Sequence, residues 1–158
     1  MTERRILIGV GNPLRHDDGV GPAVVQRLAA LGLSPSVTIM AHHGEGLSLL
    51  ETWQDYAAVV VIDATRSDQP PGTVQRFEVG RATSLPTGLF NYSSHLFGLA
   101  EAVALAQSLD RLPASLVIYG IEGADFTYGE GLTPPVLASV ALVAKQIKTE
   151  LDFSDQCA

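Results

Sequence analysis

Residues 57–62, Ala-Ala-Val-Val-Val-Ile, form an unbroken apolar run whose last four members are all β-branched. A strand with one face in water alternates apolar and polar residues. A strand without alternation is covered on both faces, as in a parallel sheet sandwiched between helices. That requirement restricts the rest of the chain to elements able to build two covering layers. Apolar runs of strand length recur at 5–10 (RILIGV), 37–40, 73–79 and 116–121 (LVIYGI), and helical stripes lie between them. Val24, Leu28 and Leu31 mark one such stripe over residues 20–31, and residues 47–53 suit a short helix. Ser93 or Ser94 is placed to cap a helix running to about Leu109. Val136, Val140, Val143 and Ile147 trace a final helix, with Lys145 and Lys148 suiting the dipole near its C-terminal end. Residues 67–72 (SDQPPG) make a turn too short for a crossover helix, so the fourth strand is expected to run antiparallel to the third. The order β-α-β-α-β-β-α-β-α predicts a three-layer α/β/α sandwich around a five-stranded, mostly parallel sheet with one antiparallel strand. The whole span 1–158 reads as one domain, with residues from about 152 onward expected to be a flexible tail.

Bulk properties narrow the function. Net charge is −7 and the pI about 4.9, which argues against nucleic acid and anionic membrane as partners, since both need a basic face. The N-terminal apolar stretch is interrupted by Gly9, Gly11, Asn12 and Pro13, and residues 56–62 are the longest apolar stretch, far below a membrane span. A cytoplasmic location is the expectation. The single cysteine, Cys157, makes neither an internal disulfide nor a Cys-x-x-Cys metal site, and its place near the end of the sequence disfavours a nucleophilic role.

In such sheets the site lies at the carboxyl ends of the strands. Asp17 and Asp18 follow the first strand in the loop GNPLRHDDG, Asp63 ends the third, and His95 opens the long helix within YSSHLFGL. Two carboxylates and an imidazole on one rim suit a divalent transition metal better than magnesium or calcium, and three protein ligands leave positions open. Each residue also has a structural reading. Asp17 or Asp18 is expected to cap the first helix, Asp63 could cap a turn through Thr65, and His95 could bond only the backbone. Of His42 and His43, one is expected to line the cleft and one to be solvated, because neighbours on an extended chain point opposite ways. Glu45 is either a general base or an exposed loop acid. A dinucleotide fingerprint is disfavoured, because Leu14 stands where a third glycine would be needed and the acidic pair would repel a pyrophosphate. Ser93 and Ser94 lack the G-x-S-x-G elbow of a serine hydrolase.

The blocks GVGNPLRHDDGVG, VVVIDATR, SSHLFGLAEAV and GLTPPV occur in an order and spacing that resemble the hydrogenase maturation endopeptidases. The resemblance implies a five-stranded mixed sheet between helices, with nickel-contacting positions at Asp18, Asp63 and His95. It implies one endoproteolytic cut that removes the C-terminal extension of a [NiFe] hydrogenase large-subunit precursor. The nickel would be supplied by that substrate's Ni-Fe centre. Apart from the resemblance, no exposed heptad or long apolar stripe in the sequence suggests assembly, so a monomer is the expectation, with oligomeric state left open. Asp17 completes the expected catalytic set with the metal-facing residues, and either Asp17 or a free carboxylate could act as general base. A rival mechanism uses nickel only for recognition while paired aspartates activate water. Residues 41–46 (AHHGEG) depart from the Asp-Gly-Gly-Thr block of some relatives, so no aspartate stands at Ala41. Two other functions use the same ligands: a nickel-binding assembly factor that does not cut, and a metal-dependent hydrolase of a small substrate.

Overall fold

A computed structural model describes residues 3–86, 88–90 and 97–157. Five strands, β1 (Arg5–Val10), β2 (Val37–His42), β3 (Ala58–Thr65), β4 (Val74–Glu78) and β5 (Ser115–Glu122), form one sheet in the order β2-β1-β3-β5-β4. β1, β2, β3 and β5 are parallel, and β4 pairs antiparallel with β5 at one edge. The helices are α1 (Val20–Ala30), α2 (Gly46–Trp53), α3 (Leu99–Ser108) and α4 (Pro134–Cys157). The expected layers are present. α1 and α4 cover one face through Val24, Leu28, Val143 and Ile147, packed on Leu7, Ile62 and Tyr119. α2 and α3 cover the other through Leu49, Trp53, Leu99 and Val103, packed on Ile8, Val61 and Ile118. Alternate residues of one strand feed opposite cores, which is why β1 and β3 carry no polar face. Among the described residues no helix is long and apolar enough to cross a membrane.

Four local expectations are corrected. β3 continues two residues past Asp63, which therefore lies inside the strand opposite Gly120 of β5. β2 reaches His42. α3 begins at Leu99 with Gly98 at its N-cap, so neither Ser93 nor Ser94 caps it; residues 91–96, His95 among them, lie outside the described residues. α4 runs to Cys157, so the tail expected from about 152 is helical.

The sheet opens where the site is to be sought. Register between β1 and β3 ends at Gly9 and Ile62, while Val10 pairs outward with His42 of β2. From β1 the chain crosses to β2 on one side, and from β2 it crosses back to β3 on the other. Between β1 and β3 the two crossovers diverge and leave a crevice. The parting is braced by two glycines. A side chain on Gly9 would run into the Gly21 carbonyl, and one on Gly21 into the carbonyls of Val10 and Ile62. The first turn of α1 thus sits directly on the backbone of β1 and β3, closer than any Cβ permits.

Candidate active site

A cleft of about 450 Å³ occupies this crevice. By strand parity Val10 and His42 are the last side chains of β1 and β2 on the α2/α3 face, and Asp63 of β3 points to the same face, in line with Ile8, Met40 and Val61. All three line the cleft, together with Asp18 from the loop after β1. Phe90 and Leu99, on either side of the segment that holds His95, also line it.

Asp18 and Asp17 are neighbours with opposite fates. The loop leaves β1 through Gly11, whose φ of +146° and contact with the Asp18 carbonyl admit only glycine. It closes in a 3-10 turn over His16–Gly19. There Asp18 faces the cleft. Its Oδ2 accepts the Asn12 amide at 2.9 Å, and its Oδ1 takes no donor among the described residues. Asp17 turns the other way and is fully buried. Its Oδ2 accepts the amides of Ala124 and Asp125 and the hydroxyl of Thr133, and its Oδ1 accepts the Thr133 amide. A carboxylate held by four donors away from the cleft ties loops together and is badly placed to take a proton from water. Asp17 is thus corrected from a general base to an anchor. Nor does either aspartate cap α1, whose N-cap is Gly19.

The anchor joins the first loop to the loop between β5 and α4. His16 donates its amide to Gly129 O at 2.9 Å, Gly129 donates to Leu14 O at 2.8 Å, and Asp17 donates to Asp125 O at 2.9 Å. His16 adopts φ +43°, uncommon outside glycine, and its Nδ1 lies 3.0 Å from Gly131 O. A carbonyl only accepts, so that nitrogen carries a proton. The two Thr127 donors, hydroxyl first and then amide, hold Asp125 below its ordinary carboxylate range. Glu122, buried at the end of β5, accepts Thr65 Oγ1, Ser67 N and Ser67 Oγ and so fixes the start of the β3–β4 turn. This acid was missed in the sequence, although it ends an apolar run just as Asp63 does.

Asp63 is 7 % exposed, and its Oδ1 accepts the amide of Ala64 at 2.8 Å. Gly120, opposite it on β5, leaves the neighbouring position without a side chain. The expected turn through Thr65 is absent, because Thr65 is still in β3 and its hydroxyl goes to Glu122.

Both histidines border the cleft, His42 buried as the last residue of β2 and His43 exposed just beyond it, so the expected solvated histidine is His43. His43 lies past the end of β2, where strand alternation lapses, and its ring stacks on that of His42 with centroids 4.5 Å apart. His42 is buried; its Nδ1 accepts the Gly44 amide at 2.9 Å, so Nε2 carries the proton and donates to Ser48 Oγ, 3.0 Å away. With both nitrogens engaged, it shapes the 44–48 loop. Glu45 is the N-cap of α2, accepting the amides of Leu47 and Ser48, and is thereby removed from the candidate bases. The Gly46 amide donates to Phe97 O at 2.7 Å, which ties this loop to the chain just after residue 96.

Among the described residues no three His, Cys, Asp or Glu side chains are grouped to hold a metal ion. Asp18 and Asp63 share the cleft, Asp17 is outside it, and His95 lies outside the described residues. Arg15 and Tyr128 also line the cleft. Sequence patterns did not single them out, because their pairing depends on a contact across more than a hundred residues.

Comparison with known proteins places this geometry in context. A family model described as hydrogenase maturation protease matches residues 22–150. The chain is 28% identical over 153 residues to the hydrogenase expression/formation protein HupD of Rhodobacter capsulatus, covering 94% of this chain and 71% of that one. It is 30% identical over 135 residues to HupD of Rhizobium leguminosarum bv. viciae, covering 84% of this chain and 66% of that one. The solution structure of an endopeptidase from Escherichia coli superposes with a TM-score of 0.80 at 27% identity, over 95% of this chain and 93% of that one.

Proposed function

The chain belongs to the hydrogenase maturation protease family of endopeptidases, and on that premise we propose that it removes the C-terminal extension of a nickel-loaded [NiFe] hydrogenase large-subunit precursor. The observation that carries the reading is the pair of carboxylates, Asp18 and Asp63, in one cleft at the parting of β1 and β3. Two carboxylates are too few to hold a divalent ion by themselves. His95 supplies the third protein ligand, and the precursor arrives with the metal and the remaining ligands. The substrate's own metal then completes the site, so an unloaded precursor is not cut.

The roles follow from the surroundings of each group. Asp63 is nearly buried on a rigid strand, which fixes its position against the incoming metal. Asp18 is held through Oδ2 by the Asn12 amide, and its Oδ1 serves the cleft. When bound, the metal polarises the scissile carbonyl or lowers the pKa of an attacking water. With Asp17 outside the cleft, Asp18 Oδ1 either holds the metal or, where the metal serves recognition alone, takes the proton of that water. The cleft's apolar wall, Val10, Pro22, Phe90 and Leu99, holds an extended substrate segment and limits water around the reacting bond.

The test is the intact mass of nickel-loaded precursor incubated with this protein, with unloaded precursor as control. Wild type is expected to produce one defined C-terminal loss, from the loaded form only. Asp18→Ala, Asp63→Ala and His95→Ala are expected to slow it by about two orders of magnitude or more. A stable complex with no change in mass would overturn the protease reading in favour of an assembly factor. Turnover of small amides without any precursor would favour the small-substrate hydrolase.

A further inference from the structure

Among the described residues Arg15 is the Lys or Arg side chain that lines the cleft, and its setting is built rather than incidental. Its Nε donates to Phe126 O at 3.1 Å, and its guanidinium carbon lies 5.2 Å from the centre of the Tyr128 ring. Backbone pairing of Arg15 with Gly129 fixes the two loops on which these groups stand. The side chain is half-buried and lines the cleft, yet among the described residues no carboxylate pairs with it. That is notable in a chain of net charge −7 whose β5–α4 loop carries Asp125 and Glu130 close by in sequence. Tyr128 is 82% exposed, so ring surface not turned to Arg15 is open to a bound segment.

From this arrangement we infer that Arg15, oriented by Phe126 O and Tyr128, binds a carboxylate of the precursor's C-terminal segment and thereby sets the direction in which the segment threads the cleft. The inference rests on the protease reading above and deepens it. A guanidinium anchored at Nε presents its Nη groups as a planar fork, the geometry that grips a carboxylate through two parallel hydrogen bonds. Elsewhere the charged lining is acidic, from Asp18 and Asp63, which attract the substrate's metal cation and repel an anionic group. A metal held by the aspartates and a carboxylate held by Arg15 are two different fixed points on the segment, and together they set its direction, which an apolar wall cannot do. The carboxylate is either an acidic side chain of the extension or the chain's terminal carboxylate.

The experiment measures both Kd and cleavage kinetics for nickel-loaded precursor against wild type, Arg15→Gln and Arg15→Lys. Arg15→Gln is expected to raise KM and Kd about tenfold with kcat changed less than threefold. Arg15→Lys, which keeps the charge and loses the fork, is expected to recover part of that loss. Wild-type Kd is expected to weaken as salt rises, and the Arg15→Gln value to respond much less, a difference that a merely loosened loop would not produce. Two substrate arms identify the source. Neutralising each Asp or Glu of the extension tests side chains, and appending Gly-Ser residues displaces the terminal carboxylate. The arm that raises Kd with wild type but adds nothing with Arg15→Gln names the group. If Arg15→Gln binds the precursor as tightly as wild type, or if neither arm couples to it, the inference fails. Because Kd is read independently of cutting, a wild type that binds without cutting would remove the protease reading while the Arg15 assignment is still decided.

Discussion

Asp17 and Asp18 are adjacent and chemically identical, and only their donors separate them. Asp17 is buried under four hydrogen bonds, whereas Asp18 keeps one oxygen for the cleft. Exchanging a carboxylate for an amide tests the two roles in opposite directions. Asp17→Asn places an NH₂ group against N–H donors and is expected to cost about 3 kcal/mol in urea unfolding. Asp18→Asn removes one solvent-facing charge. It is expected to change stability by less than about 0.5 kcal/mol while abolishing cleavage. Equal stability losses for the two variants would refute the division. Asp63 was legible because a charged residue ending a β-branched run is conspicuous. The roles of Asp17, His42 and Glu45 were not, because each depends on donors that the fold brings in.

At the level of elements, the edge strand β4 is held to the rest of the molecule by side chains as well as by its ladder. Tyr119 of β5 donates its hydroxyl to Glu150 of α4 at 2.7 Å, and Arg76 of β4 reaches both Tyr119 Oη, at 3.2 Å, and Glu150. Burial, reinforced by the nearby Glu150 carboxylate, pushes the Tyr119 phenol up to about 12 from its ordinary 10. The folded state therefore binds this proton more tightly than the unfolded chain does. Its contribution to stability is fully present below pH 10 and is lost as pH rises through about 12. Urea midpoints measured from pH 8 to pH 11.5 should fall over the upper part of that range for wild type. They should fall less for Tyr119→Phe, which itself loses about 1 kcal/mol at neutral pH. Identical alkaline slopes would show that this phenol does not titrate late. The strands themselves were readable from apolar runs, but strand and helix ends shifted. β3 gained two residues from pairing with β5, and α3 lost its expected serine cap, since pairing and packing decide where an element stops.

For the molecule as a whole, the sheet is a single slab shared by two cores. One core lies under α1 and α4 and the other under α2 and α3. The chain's single tryptophan, Trp53, is buried in the second core, while Leu28 is buried in the first. Leu28→Ala should cost about 3 kcal/mol through lost burial and the cavity left behind. If the slab unfolds as one cooperative unit, Trp53 fluorescence must report that loss in full, in step with far-ultraviolet circular dichroism. A fluorescence midpoint unmoved by Leu28→Ala would mean the two cores unfold separately.

The sequence by itself determined the layers, the antiparallel fourth strand and the rim on which chemistry sits. Those follow from local periodicity and from the length of the β3–β4 turn, and both are properties of neighbouring residues. It also determined the family, through blocks spread along nearly the whole chain. Only the tertiary structure decided which acids face the cleft. Asp18 faces it because the 3-10 turn rotates it there, and Asp17 does not because the β5–α4 loop supplies donors from more than a hundred residues away. The same contact gives Arg15 its aromatic support. Side-chain direction in a loop is set by whichever distant backbone satisfies it, and that information is absent from any short window of sequence.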